Sequence, residues 1–213
     1  MNPLDELLAR NRNWATARKA DDPEFFARLA GQQRPSYMWI GCSDSRVPAN
    51  EIVDLDPGTI FVHRNVAGVV VHTDLNCLSV LQFAVDVLEI EHVIVCGRQD
   101  CAGVRAAFER SRHGLVDNWL RHVRDVYQKS REEIDTLPDD ESRLRRLCEL
   151  NVVQQVANVG STTIVQDAWH RGRPLAVHGL VYDLADGLLR DLGVSVASAA
   201  DLERLHRVGL PPV

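Results

Sequence analysis

The chain has 213 residues, 45% of them hydrophobic and 25% charged, with a formal net charge of −6. That length supports one domain with a sizeable core, or at most two small ones. The acidic balance excludes the basic stripe of a nucleic-acid surface, and no apolar run approaches the roughly 20 residues of a membrane span.

The first residues, MNPLDELLARNRNW, contain no apolar stretch, so the sequence predicts no signal peptide and a cytoplasmic protein. Leu4 to about Ala30 is helical in pattern, broken at Asp22-Pro23, with Trp14, Phe25, Phe26 and Leu29 as apolar anchors. Tyr37 to Cys42 is a short apolar run ending in polar residues, the pattern of a buried parallel strand. Thr59 to Arg64 and His92 to Gly97 read the same way. Between them, Asp74 to Glu89 carries Leu75, Leu78, Leu81, Val85 and Leu88 at helical spacing. Helices are expected at about 102–110, 115–134, 141–158 and 161–171. A strand over Pro174 to Tyr182, an edge hairpin at Leu188 to Val196 and a last helix at about 199–207 complete the pattern.

Strands alternating with helices predict an α/β fold, a mostly parallel β-sheet flanked by helices. In such sheets the chemistry sits beyond the carboxyl ends of the strands. Three segments occupy that place: Cys42-Ser43-Asp44-Ser45-Arg46, Arg64-Asn65 and Arg98-Gln99-Asp100-Cys101.

Five scattered cysteines, an odd number, do not form a secreted disulfide framework. Cys77, Cys96 and Cys148 sit inside apolar patterns and read as core. Cys42 and Cys101 each follow a strand, 59 positions apart. Two thiols with Asp44 between them suit zinc, which takes thiolate and carboxylate ligands. The same two residues also read as ordinary buried cysteines. Asp44 and Arg46 can pair in a turn, which keeps the carboxylate ionised. The alternative for that pair is a surface ion pair of little worth.

The run Cys42-Ser43-Asp44-Ser45-Arg46-Val47 resembles the first zinc motif of the β-class carbonic anhydrases. His63-Arg64-Asn65-Val66-Ala67 resembles that family's second landmark. The likeness continues through Thr73 to Val80, Cys148 to Val152 and His178-Gly179, and is greatest to bacterial members with an anion-regulated site. The resemblance implies a single domain over 1–213, with residues 1–33 an N-terminal helical arm wrapping a partner subunit of a homodimer or homotetramer. It implies reversible hydration of carbon dioxide to bicarbonate at a zinc ion held by two Cys and one His. Cys42, Cys101 and Asp44 match metal-site positions, and Asp44 with Arg46 the catalytic pair. Trp39, Arg64 and Tyr182 match the residues around a non-catalytic bicarbonate; Trp39 and Tyr182 also read as core aromatics.

One position departs from the family pattern. The resemblance places the His ligand three residues before the last Cys, where this chain has Arg98, in Cys96-Gly97-Arg98-Gln99-Asp100-Cys101-Ala102-Gly103. Arginine has no acceptor lone pair and stays protonated, so it cannot ligate zinc. Gln99, Asp100 and Ala102 differ from the usual motif as well. Three readings follow. The first is carbon dioxide hydration at a modified zinc site of Cys42, Asp44 and Cys101, with Arg98 moved aside and Asp100 a further oxygen. Such a site carries one more negative charge than the family's and makes bound water less acidic. The second is a metal-free enzyme using Arg98 and a Cys thiolate on another small carbonyl or carboxylate compound. The third is a non-catalytic subunit that binds bicarbonate or another small anion. Zinc is accordingly either the cofactor or absent.

Overall fold

The computed structural model describes residues 2–31 and 34–208. They fall into two compact units, Met1–Arg34 and Pro35–Val213. In the first, helix α1 spans Pro3–Asp21 and α2 spans Phe25–Gly31. The Asn2 side chain accepts the Leu4 N–H and Pro3 opens the first turn, a favoured helix start. The break expected at Asp22-Pro23 is present. There the Asp22 carboxylate takes the Glu24 N–H and the Arg28 guanidinium. Trp14 meets Phe25 and Phe26 edge-on, at ring distances of 6.4 and 5.6 Å. Positions 1, 32 and 33 of the expected arm lie outside the described residues.

The second unit is built on a five-stranded sheet in the order β2-β1-β3-β4-β5. Its strands are β1 (Tyr37–Cys42), β2 (Ile60–Asn65), β3 (His92–Arg98), β4 (Ala176–Asp183) and β5 (Leu188–Val196). The first four are parallel, and β5 folds back antiparallel on β4 as the expected edge hairpin. The chain passes from β1 to β2 on one side, then crosses to β3 on the other. That reversal puts a crevice at the carboxyl ends of β1 and β3.

Helices α3 (Ala49–Ile52) and α4 (Leu75–Gln82) link β1 to β2 and β2 to β3. The helix expected over 74–89 ends early, because the backbone widens to a π-turn at Phe83–Val87. After β3 come α5 (Ala102–Phe108), α6 (Val116–Trp119), α7 (Arg121–Lys129) and α8 (Arg131–Asp135). The single helix expected over 115–134 is therefore three. Ser130 leaves helical geometry at the second joint, with ψ of 18°, while Leu120 at the first stays in the helical region with ψ relaxed to −7°. The long α9 (Asp140–Gly160) starts at an Asp139 carboxylate that accepts the Ser142 N–H at 2.8 Å. Then follow α10 (Thr163–His170) and α11 (Ala199–Val208).

Side chains alternate across the sheet. Met38 and Ile40 of β1 face a core shared with Val93, Val95, Val177 and the α9 valines. Trp39 faces the other side, with Ile60, Cys96 and Tyr182. A second core lies under α5, α7 and α9 and includes Cys101, Leu120, Leu147 and Cys148. Helix α9 lies against β3 and β4 where both present glycine. A Cβ on Gly97 would stand 2.4 Å from Val152, and one on Gly179 3.2 Å from Val152 and Val156.

Candidate functional site

The parallel register brings Cys42, Asn65 and Arg98 to neighbouring strand ends. The Ser43 N–H donates to the Asn65 carbonyl at 2.9 Å, which pins the loop after β1. Asp44 then forms a tight turn, its Oδ1 accepting the Arg46 N–H at 3.0 Å. The Arg46 guanidinium grips the same carboxylate in a fork, Nε to Oδ1 at 2.9 Å and Nη2 to Oδ2 at 2.7 Å. Arg98 approaches from β3, its Nε 2.9 Å from Asp44 Oδ2. The Arg46 hydrogen bonds, reinforced by the charges of Arg98 and Arg46, hold the Asp44 carboxyl well below the usual carboxylate range.

Arg98 is only 3% exposed. Its Nη1 donates to the Gln99 carbonyl at 2.9 Å. Its Nε faces Asp44 at ion-pair distance but off the hydrogen-bond direction, and its Nη2 has no partner. Gln99, also buried, donates weakly from Nε2 to Glu149 at 3.4 Å, while its Oε1 is unpartnered. Both residues line a cleft of about 560 Å³ that also contains Arg46, Arg105, Arg145 and Asp183. A buried donor and a buried acceptor without partners each carry a desolvation cost.

The sulfurs of Cys42 and Cys101 are 3.6 Å apart, with Cys101 donating to Cys42. That hydrogen bond, helped by the N–H groups of Ala67 and Asp44, draws the Cys42 thiol below its ordinary value. Cys101 moves the opposite way, for it gives the bond and is buried. Burial pushes Cys77 and Cys96 up to about 12 and Cys148 up to about 11, as inert core thiols should be.

The other expected site residues are placed differently. Asp100 is exposed and points at Arg105, whose Nε is 2.9 Å away, so it lends no oxygen to the thiols. Trp39 and Tyr182 share the core behind β1. Arg64 donates from Nε to the Cys42 carbonyl at 2.7 Å and from Nη2 to the Asp44 carbonyl, bracing the loop after β1. Asn151 and Gln155 of α9 hold the neighbouring loop through the Ala67 carbonyl and the Val70 N–H, at 3.1 and 2.9 Å. Arg105, Arg145 and Asp183 were not singled out in the sequence. They flank the motif segments, close to Gly103, Cys148 and Tyr182, and folding brings them to one cleft.

A carbonic anhydrase family profile matches residues 37–189. The chain belongs to the β-carbonic anhydrase family. It is 44% identical to a carbonic anhydrase of Emericella nidulans over 205 residues, 96% of this chain and 90% of that protein. It is 31% identical to one from Pseudomonas aeruginosa, over 98% of this chain and 96% of that protein. A Coccomyxa β-carbonic anhydrase solved with acetazolamide superposes with a TM-score of 0.88 at 38% identity, covering 97% of this chain and 96% of that one. The tetrameric β-carbonic anhydrases of Sordaria macrospora give a TM-score of 0.87 at 37% identity, covering 92% and 100%.

The family's members bind zinc, so the donor set of this one must be tested against the metal. Two thiolates on a tetrahedral zinc, each at about 2.3 Å, would stand roughly 3.8 Å apart, close to the spacing of Cys42 and Cys101. No third donor joins them. Asp44 is committed to two guanidinium groups, and Arg98 has no lone pair to offer. Among the described residues no group of three or more His, Cys, Asp or Glu side chains is placed to hold a metal ion. A catalytic zinc needs three protein ligands and one open position. The residues as arranged do not fit it. Among the described residues, no helix is long and apolar enough to cross a membrane.

Proposed function

We propose that this β-carbonic anhydrase family member binds bicarbonate, or a small oxyanion of the same shape, at Arg98 without hydrating carbon dioxide through zinc. The observation that carries the reading is the buried Arg98 guanidinium, paired with Asp44 and open at Nη2. Two guanidinium charges, Arg46 and Arg98, face one Asp44 carboxylate. Arg46 is solvent-exposed, while Arg98 is buried with Asp44 as its one counter-charge, shared with Arg46. A small anion would give the Arg98 guanidinium a second counter-charge. Bicarbonate also has the right hydrogen-bond complement: an oxygen that accepts from Arg98 Nη2 and a hydroxyl that donates to Gln99 Oε1. Carbon dioxide offers no donor to Gln99 and no charge to Arg98.

Asp44 and Arg46 position Arg98 in this scheme. With its carboxyl held ionised, Asp44 accepts the Arg46 hydrogen bonds, pairs with Arg98 by charge, and gives up no proton near neutral pH. The ligand class is that of the carbonic anhydrases; what is lost is the metal-bound nucleophile.

A second reading is favoured by the spacing of the thiol pair. If Arg98 turned away and Asp44 exchanged its guanidinium partners for a metal, Cys42, Asp44 and Cys101 would make a three-ligand site for hydration. That exchange breaks the Arg46 fork and the Arg98 pair together. We further propose that the chain assembles as a homodimer or homotetramer in the cytoplasm, residues 1–33 acting as an arm. The likeness to proteins described as tetrameric supports the assembly.

Calorimetric titration with bicarbonate and stopped-flow carbon dioxide hydration test both readings on one sample. The proposal predicts saturable bicarbonate binding that is lost in Arg98→Gln, with hydration no faster than buffer. Hydration that a zinc chelator abolishes would establish the second reading and overturn the first.

A further inference from the structure

We infer that Cys42 and Cys101 form a reversible disulfide, making this a hydroperoxide-responsive thiol pair where metal-binding relatives hold zinc. The inference rests on the reading that no zinc bridges the two sulfurs.

The geometry supplies the partners. The sulfurs already stand 3.6 Å apart in the reduced protein. A disulfide needs about 2.05 Å, so a small rotation of the side chains closes the gap. The backbone on both sides is fixed. Cys42 ends β1, where Arg64 and Ser43 tie the loop to its neighbours. Cys101 is the N-cap of α5 and its carbonyl accepts the Arg105 N–H at 2.8 Å. Neither residue has to leave its element for the sulfurs to meet.

Access divides the roles. Cys42 is half-buried, whereas Cys101 is 2% exposed. An oxidant from solvent therefore reaches Cys42. Its sulfur attacks one oxygen of the peroxide, the O–O bond breaks, and water leaves; Cys42 becomes a sulfenic acid. The Cys101 sulfur then attacks Cys42 Sγ, the S–O bond breaks, and a second water leaves with the remaining thiol proton. The balance is two thiols and one hydrogen peroxide giving one disulfide and two waters. A dithiol reductant reverses it by exchange. Cys101 sits behind Cys42 as a resolving thiol and stops the sulfenic acid from being oxidised further.

The remaining thiols do not compete. Cys77, Cys96 and Cys148 are each at most 4% exposed. In a zinc-bound relative the pair would be masked as thiolate ligands. Here both are free thiols, which leaves the two sulfurs to react.

The test uses the full chain, with metal content measured on the same sample. The protein is treated with a slight excess of hydrogen peroxide, and free thiols, intact mass and a non-reducing peptide map are read. The expected result is a metal-free sample whose thiol count falls by two from five, with loss of two hydrogens and a Cys42–Cys101 peptide that dithiothreitol dissolves. Cys42→Ser should abolish the fall, whereas Cys101→Ser should form no disulfide and leave Cys42 to go on to sulfinic acid. A metal-free sample in which Cys42 goes on to sulfinic acid, or in which another pair forms, overturns the inference. If zinc is present, failure of the metal-free reading is seen directly in the metal measurement. After chelation, formation of the same disulfide would still support the pair, and its absence would overturn it.

Discussion

The chemistry of the site turns on a single guanidinium. Arg98 occupies a strand-end position that the family resemblance gives to a neutral, ligating imidazole, and it brings a permanent charge. Asp44 is what allows that charge to be buried. Removing the carboxylate in Asp44→Asn should cost on the order of 3 kcal/mol at neutral pH, because a buried cation loses its partner. The same pair gives a signed pH dependence. Asp44 titrates lower in the folded chain than in the unfolded one, where carboxylates titrate near pH 4. Its contribution is complete above about pH 4 and is lost as the pH falls below that toward the depressed folded value. Urea midpoints measured from pH 7 down to pH 3 should decline at the acid end in the wild type and decline less in Asp44→Asn; parallel curves would refute the assignment. The converse substitution tests the missing ligand. Arg98→His, combined with Ala102→Gly, should take up about one zinc per chain on metal titration; no uptake would mean that the surrounding geometry has drifted as well. At this scale the sequence shows much of the site. The thiol pair, Asp44, Arg46 and Arg98 could be named from strand-end placement and motif likeness. The unpaired atoms of Arg98 and Gln99 could not, because burial and hydrogen-bond direction depend on distant segments such as Glu149 and Asp183. The bracing role of Arg64, whose Nε and Nη2 donate to the carbonyls of Cys42 and Asp44, could not be read from the sequence either.

Among the elements, β3 and α9 do the positioning. Gly97 immediately precedes Arg98, and α9 lies close enough that Val152 fills the space a Cβ would need. Gly97→Ala should therefore destabilise the protein by about 1–3 kcal/mol through overpacking. Pairing it with Val152→Ala should recover part of that loss. Chemical denaturation of the two single variants and the double variant measures the coupling; strictly additive losses would show that the contact is not the cause. Strand positions were readable because their apolar runs are short and end in polar residues, and β1 begins and ends where its pattern does. Helix continuity was harder to read. The pattern over 115–134 stays helical across Ser130, where the local backbone breaks it. The π-turn after α4 leaves Val85 facing the core, so the apolar spacing passed through it unaltered.

The sheet order of the second unit makes one crevice out of segments that the chain keeps apart. Cys42 and Asp44 follow β1, Arg98 ends β3, and the crossing from β2 to β3 sets them side by side. The α/β class was legible from alternation alone, while the order of strands was not, because it depends on pairing between segments far apart in the chain. That framework is shared with zinc-binding carbonic anhydrases, so fold by itself does not decide the chemistry. The donor set decides it, and here the carboxylate that follows Cys42 is paired with two guanidinium groups. Elemental analysis of the full-length protein, purified without chelator and then offered excess zinc, tests this most directly. The account predicts far less than one zinc per chain in both samples. About one zinc per chain in either, retained through dialysis, would contradict it.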